Sequence, residues 1–256
     1  MNELELLDEL ERRGLIVGVE NDAAEIDGLV VTQDSLVEGV HFRFDLLDWR
    51  ELGFRAAAVN ISDLAASGAE PVALIATLAA PSLDSAIALY EGLADAGVPV
   101  RGGDTTKADS VVITVTALGR ADRVPGRAGA RPGDLLVVTG PLGGAGAAFR
   151  DGRLLRPPIR TAEGRSLARA AHAMLDISDG LGVDAGHIAR RSGCRLVIDL
   201  GRVPLAPGAT VDDLSFGEDY ELLAATPDPL DFAVIGRCEE GSGVEPPGLG
   251  GWEHFR

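Results

Sequence analysis

Lysine is almost missing from this chain: Lys107 stands alone, and every other one of the 23 Lys and Arg side chains is arginine. No GxxxxGK[ST] run surrounds it, which excludes a P-loop, whose lysine reaches the β- and γ-phosphates, and a protein-kinase site built on a strand lysine. Cysteine is scarce too. Cys194 and Cys238 are too few and too isolated for a zinc site or a disulfide framework, so packing is their expected role. No apolar run approaches the roughly 20 residues that cross a bilayer. The opening MNELELLDELERRG is acidic and amphipathic, the wrong pattern for a signal peptide, so a cytoplasmic location is expected. Positive charge is outweighed as well: 40 acidic side chains give a net charge of −17, which argues against nucleic acid or an anionic membrane as partner. Such a chain can still handle phosphates if divalent cations supply the positive charge.

What is present is ample for a folded core, with 46% hydrophobic residues in 256. Residues 2–13 read as a helix stopped at Gly14. A long helical pattern runs from Trp49 to Ser67 and ends at Gly68, and another spans about Leu83 to Ala96. Strands are expected at 28–34, 71–80 and 111–119. The stretch RVPGRAGARPGD, 123–134, is rich in Gly, Pro and Arg and reads as a linker. Beyond it, strands are expected at 135–140, 195–200, 220–226 and 231–236, with helices near 160–172 and 181–192. SGVEPPGLGG, 242–251, reads as an exposed loop. Two mixed halves follow, 1–124 and 125–256.

The acids fall at strand ends and helix starts: Asp22 in GVENDAA, Asp34 in VVTQDS, Asp63 in VNISDLAASGA, Asp104 in VRGGDTT, and Asp176 and Asp179 in LDISDG. Small neighbours let the backbone approach a ligand and add oxygen donors, which a hard cation such as Mg²⁺ prefers; no His or Cys cluster competes for a softer metal. Each position also has a plainer reading. Asp and Ser before a helix are good N-caps, GGDTT can be a simple turn, and Asp63 can be a polar break in a helix. TGPLGGAGAAF lacks the GxGxxG spacing of a dinucleotide loop and fits tight strand-to-helix packing equally well.

Taken in order, ENDAA, TQDSLVEGVHF, AAVNISDLAASGAEP, GGDTT, GRAGARPGD, VTGPLG, LDISDGLGVDAGHIA and FGEDYELL resemble the thiamine-monophosphate kinases, of the aminoimidazole-ribonucleotide synthetase superfamily of ATP-using enzymes. The resemblance spans nearly the whole chain. It implies an α+β fold of two domains, each a mainly antiparallel or mixed sheet flanked by helices, and a homodimer with clefts near the subunit interface. It also implies transfer of the γ-phosphoryl of ATP to thiamine monophosphate with several Mg²⁺ ions. Carried over by motif, Asp22, Thr32, Gln33, Asp34, Asp63, Asp104, Asp176 and Asp179 would hold metal. Gly103, Asp104, Arg127 and Ser178 would contact ATP, and His41, Glu218 and Trp252 the thiamine phosphate. Asp104, Asp179 and Arg127 would be the residues closest to the chemistry.

The chain departs from the family pattern at Asn21, where a second acid is usual, and at Gln33, which replaces a hydroxyl residue; its C-terminal half is also shorter. Two alternatives stay open at this point: a related ATP-dependent enzyme with another acceptor, and a non-catalytic homologue that binds nucleotide or thiamine phosphate.

Overall fold

The computed structural model describes residues 3–17 and 21–252. After a first helix α1 (Glu3–Arg12), the first half forms β1 (Ala24–Ile26), β2 (Leu29–Val37), α2 (Trp49–Ala66), β3 (Glu70–Ala80), α3 (Ala86–Asp95), β4 (Val100–Lys107) and β5 (Val112–Arg120). Its sheet runs β1-β2-β5-β3-β4, antiparallel except where β4 lies parallel to β3. Alternating burial along β5 puts Ile113, Val115 and Ala117 under α2 and leaves the opposite face half open. On that open face Val72 and Ile75 are 44% and 41% exposed.

The second half forms β6 (Leu135–Val138), α4 (Gly144–Arg150), α5 (Thr161–Ala168), β7 (Ala173–Asp176), α6 (Leu181–Ser192), β8 (Arg195–Ile198), β9 (Leu222–Thr226), β10 (Ala233–Glu239) and β11 (Gly243–Glu245). Here the order is β11-β8-β10-β6-β9-β7, antiparallel except for β11 beside β8. One face packs Leu136, Leu175, Leu223 and Ile235 against Leu181, Ala185 and Ile188 of α6. The other packs Val137, Met174, Leu222 and Ala224 against α5 and against Ala65 and Ala66 of α2.

Helix α2 therefore serves both halves. From Leu52 to Ala66 only Asp63 escapes full burial, which explains why its sequence is apolar and small all round instead of striped. Asp48 caps it, accepting from the Glu51 N–H at 2.8 Å. Burying Leu52, Ile61 and Leu64 completely stabilises the fold by about 1.5–3 kcal/mol each. Glycine sets the approach of α3: a Cβ on Gly53 would lie 1.9 Å from the Leu89 carbonyl oxygen, and one on Gly92 equally close to that of Arg50.

The α+β class and its mixed sheets are as expected. Four strands were not, the short β1 beside β2 among them. VRGGDTTK forms β4 although it lacks apolar alternation, because parallel pairing with β3 satisfies its backbone while its side chains stay outside. AMLD forms the buried edge strand β7. Gly243–Glu245, inside the expected loop 242–251, pairs with β8 as β11. Strand 220–226 begins only at Leu222, since Tyr220 sits at φ +52. Among the described residues no helix is long and apolar enough to cross a membrane.

Candidate functional site

A cavity of about 860 Å³ opens between the end of β2, the C-terminal part of α2, the loop after β7 and the loop before β9. Of the fourteen residues to which site roles were carried over from the family, Asp22, Thr32, Asp34, Asp63, Asp176 and Asp179 line its acidic end. The carboxylates of Asp22, Asp63 and Asp176 offer oxygens that all lie within 4.8 Å of one another. At that spacing each like-charge pair repels by about 3 kcal/mol at an effective dielectric near 20.

Local structure explains how such a cluster is held. Asp176 ends β7, and the Ser62 hydroxyl of α2 donates to its Oδ2 at 2.5 Å. Thr32 on β2 donates to Asp63 Oδ2 at 2.6 Å and to the Asp22 carbonyl at 3.1 Å. The N–H of Asp34 donates to Asn60 Oδ1 at 3.0 Å, and Asn60 in turn donates to the Ala56 carbonyl. Arg127 brings the linker to the site, its Nε and Nη2 lying 2.9 and 2.5 Å from Asp22 Oδ1.

The electrostatics are those of crowded, buried acids. Burial, then the charge of Asp22, pushes Asp176 up to about 7. Burial followed by Asp34, Asp176 and Asp22 raises Asp63 well above the carboxylate range. Asp34 is raised by burial and then by Asp22 and Asp179. Asp22 is raised as well, burial outweighing its partner Arg127. An all-oxygen set of this kind fits a hard divalent cation, which would remove the repulsion that raises these groups. A second group, Asp179, Asp184 and His187, lies alongside. Asp184 accepts from the N–H groups of Asp179 and Gly180 at 3.0 and 2.9 Å, fixing the turn into α6. His187 is depressed to about 4 by burial and by Arg127, Arg190 and Arg191, so its imidazole is neutral.

The expected acceptor residues stand on the same cavity. His41 follows β2 and takes the Val37 N–H on Nδ1 at 3.0 Å. Glu218 sits at φ +58 with its carboxylate 2.6 Å from Arg55. Trp252 is 53% exposed at the rim, its N–H bound to the Asp179 carbonyl at 2.8 Å. Ser178 also lines the cavity, as does Gln33, whose side-chain oxygen accepts from Thr116.

Gly103 and Asp104 are not brought to this cavity. They lie on the outer strand β4, exposed, lining a separate hollow of about 480 Å³ with Tyr90 and Thr105. Gly103 is required there: at φ +150, a Cβ would fall 1.7 Å from the Ala76 carbonyl oxygen. Asn21 has a different use from the acid usual at its position, accepting the Arg127 N–H at 3.1 Å and so anchoring that loop.

Sequence reasoning missed Asn60, Ser62, Arg55, Asp184 and the tilted pair Phe149–Phe216, whose rings are 5.2 Å apart on the cavity wall. Asn60, Ser62 and Asp63 within one buried helical turn were a signal that the first two do more than fill space.

The pattern of AIR synthase related protein, N-terminal domain, matches residues 20–121, and that of the C-terminal domain of the same proteins matches 131–245. Thiamine-monophosphate kinase of Pyrococcus horikoshii is 34% identical over 89% of the chain and 86% of its own length. The Escherichia coli K12 enzyme of that name is 35% identical over 83% and 77%. A solved structure of AaThiL complexed with AMPPCP and TMP superposes with a TM-score of 0.90 at 32% identity, covering 99% of this chain and 97% of that one.

Proposed function

Because the chain belongs to the thiamine-monophosphate kinase family, built from the two AIR synthase related domains, we propose that it transfers the γ-phosphoryl group of ATP to thiamine monophosphate. The observation that carries this reading is the close trio Asp22, Asp63 and Asp176 at the end of a cavity large enough for two phosphorylated substrates. A terminal phosphate oxygen of thiamine monophosphate attacks the γ-phosphorus in line, the bond to the β-phosphate oxygen breaks, and thiamine diphosphate and ADP leave. Mg²⁺ held by the acids would neutralise two phosphate groups that otherwise repel each other.

The chain's own groups position the reactants. Asp22, Thr32, Gln33, Asp34, Asp63, Asp176 and Asp179 are the metal-holding set, Thr32 and Gln33 through oxygens beside the acids. Arg127 holds Asp22 through Nε and Nη2, and among the described residues its Nη1 carries no hydrogen bond, leaving a fixed donor for an ATP phosphate. Ser178 joins it on the nucleotide side. At the other end His41 and Glu218 meet the acceptor, and Trp252 stacks on a thiamine ring. Residues 1–124 carry most of the metal set, and 125–256 carry most of the substrate contacts.

A second copy of the chain completes the site. What supports it is the half-open face of the first sheet with Val72 and Ile75 exposed, and the outward position of Gly103 and Asp104 on β4. In a homodimer these two residues reach the partner's nucleotide and metal. A cytoplasmic setting accords with two cysteines that remain buried free thiols.

The test is to incubate purified protein with ATP, Mg²⁺ and thiamine monophosphate and to separate the products by chromatography. Thiamine diphosphate that disappears with EDTA is the expected result. Folded protein that binds ATP but yields none would point to another acceptor or to a non-catalytic binder.

A further inference from the structure

We infer that Arg55, to which no role has yet been given, is a positioning residue that reaches from the first half of the chain to fix the Glu218 carboxylate in the acceptor end of the cavity. Arg55 lies on α2, is 3% exposed and does not itself line the cavity. Its Nη2 is 2.6 Å from Glu218 Oε2, its Nη1 donates to the Leu155 carbonyl at 2.9 Å, and its guanidinium sits 6.0 Å over the Tyr220 ring. Among the described residues neither its Nε nor its Nη2 has a hydrogen bond of good geometry, the Nη2 contact with Glu218 being an ion pair, so its burial is not repaid by satisfying every donor. A guanidinium kept buried under that cost is there for the two groups it does hold.

The other side of Glu218 is fixed as well. Its N–H donates to the Ser178 carbonyl at 2.7 Å and that of Tyr220 to Ile177 at 2.9 Å, tying the segment to the loop that bears Asp176 and Asp179. Glu218 and Tyr220 sit at φ +58 and +52, a conformation that such side chains keep only where the surroundings impose it. Main chain and carboxylate are thus gripped from opposite halves. Arg55 also holds the carbonyl of Leu155, next to Leu154 of the cavity wall.

The inference rests on Glu218 being an acceptor contact, and the experiment separates the two ideas. Steady-state kinetics would be measured for Arg55→Met, Arg55→Lys, Glu218→Gln and the Arg55→Met/Glu218→Gln double variant, with thermal melts to establish folding. In Arg55→Met the KM for thiamine monophosphate rises about tenfold while kcat and the KM for ATP stay within about twofold. In Arg55→Lys the rise is about threefold, because an ammonium on a flexible stem cannot hold Glu218 and Leu155 together. The double variant is no worse than Glu218→Gln alone, since Arg55 acts through that carboxylate.

If Glu218→Gln raises the KM but Arg55→Met does not, the inference fails and the acceptor reading survives. If Glu218→Gln leaves the KM unchanged, both fail. Equal damage to ATP and acceptor kinetics in Arg55→Met would make Arg55 merely structural and overturn the inference. Should Arg55→Met not fold, a wild-type KM in Arg55→Lys overturns it.

Discussion

Replacing Asp176 by Asn would make the metal-free protein more stable while destroying its activity. In the fold Asp176 is 4% exposed, accepts from Ser62 and faces the charges of Asp22 and Asp34, and its pKa stands at about 7 against an ordinary 3.8. The native state therefore holds this proton more tightly than the unfolded chain does, so stability falls as pH rises from about 4 through about 7. The difference between about 7 and 3.8, at about 1.4 kcal/mol per pH unit, is about 4 kcal/mol lost at pH 8. Asn mimics the protonated carboxyl, and its oxygen still accepts the Ser62 hydroxyl. In EDTA at pH 8 the variant should be about 2–4 kcal/mol more stable, raising Tm by about 5–10 °C, with the gap closing by pH 4. Millimolar Mg²⁺ should reverse the order by stabilising wild type and leaving the variant nearly unmoved. A variant no more stable than wild type at pH 8 in EDTA, or a gap that does not change with pH, would refute the reasoning.

Asp104→Asn should lower turnover by about a hundredfold or more while shifting stability by less than about 0.5 kcal/mol, because the side chain is exposed on β4; kinetics paired with melts check this. If Asp104 serves the partner's site, mixing inactive Asp104→Asn with inactive Asp34→Asn should restore about a quarter of wild-type activity, since half the dimers are mixed and each of these has one intact site; no recovery would mean that Asp104 is not shared. Trp252→Ala should raise the KM for thiamine monophosphate with kcat nearly unchanged, and an unchanged KM would remove Trp252 from the pocket. Gly103→Ala should cost about 2 kcal/mol or more in a denaturant titration, because its Cβ meets the Ala76 carbonyl.

The aspartates were legible because most sit among small residues, a local pattern that folding leaves unchanged, although Asp34, Asp63 and Asp104 lie inside β2, α2 and β4 and not at element ends. Their supports were not. Ser62 meets Asp176 and Arg55 meets Glu218 across more than a hundred residues of chain, and only the stacking of α2 between the two sheets creates those pairs. Long helices and alternating strands such as α2 and β5 were visible from periodicity. Strand β4 was hidden because its pairing, and not its side chains, makes it a strand. Asp104 shows the limit most sharply: its motif groups it with the metal ligands, yet this chain's own fold sets it on another surface.

The most direct test of the account is to follow the label from γ-labelled ATP with Mg²⁺ present and thiamine monophosphate, free thiamine or no acceptor added. The account predicts label in the terminal phosphoryl group of thiamine diphosphate, dependent on thiamine monophosphate and lost in Asp63→Asn. Label released as inorganic phosphate at the same rate with or without the acceptor would contradict it.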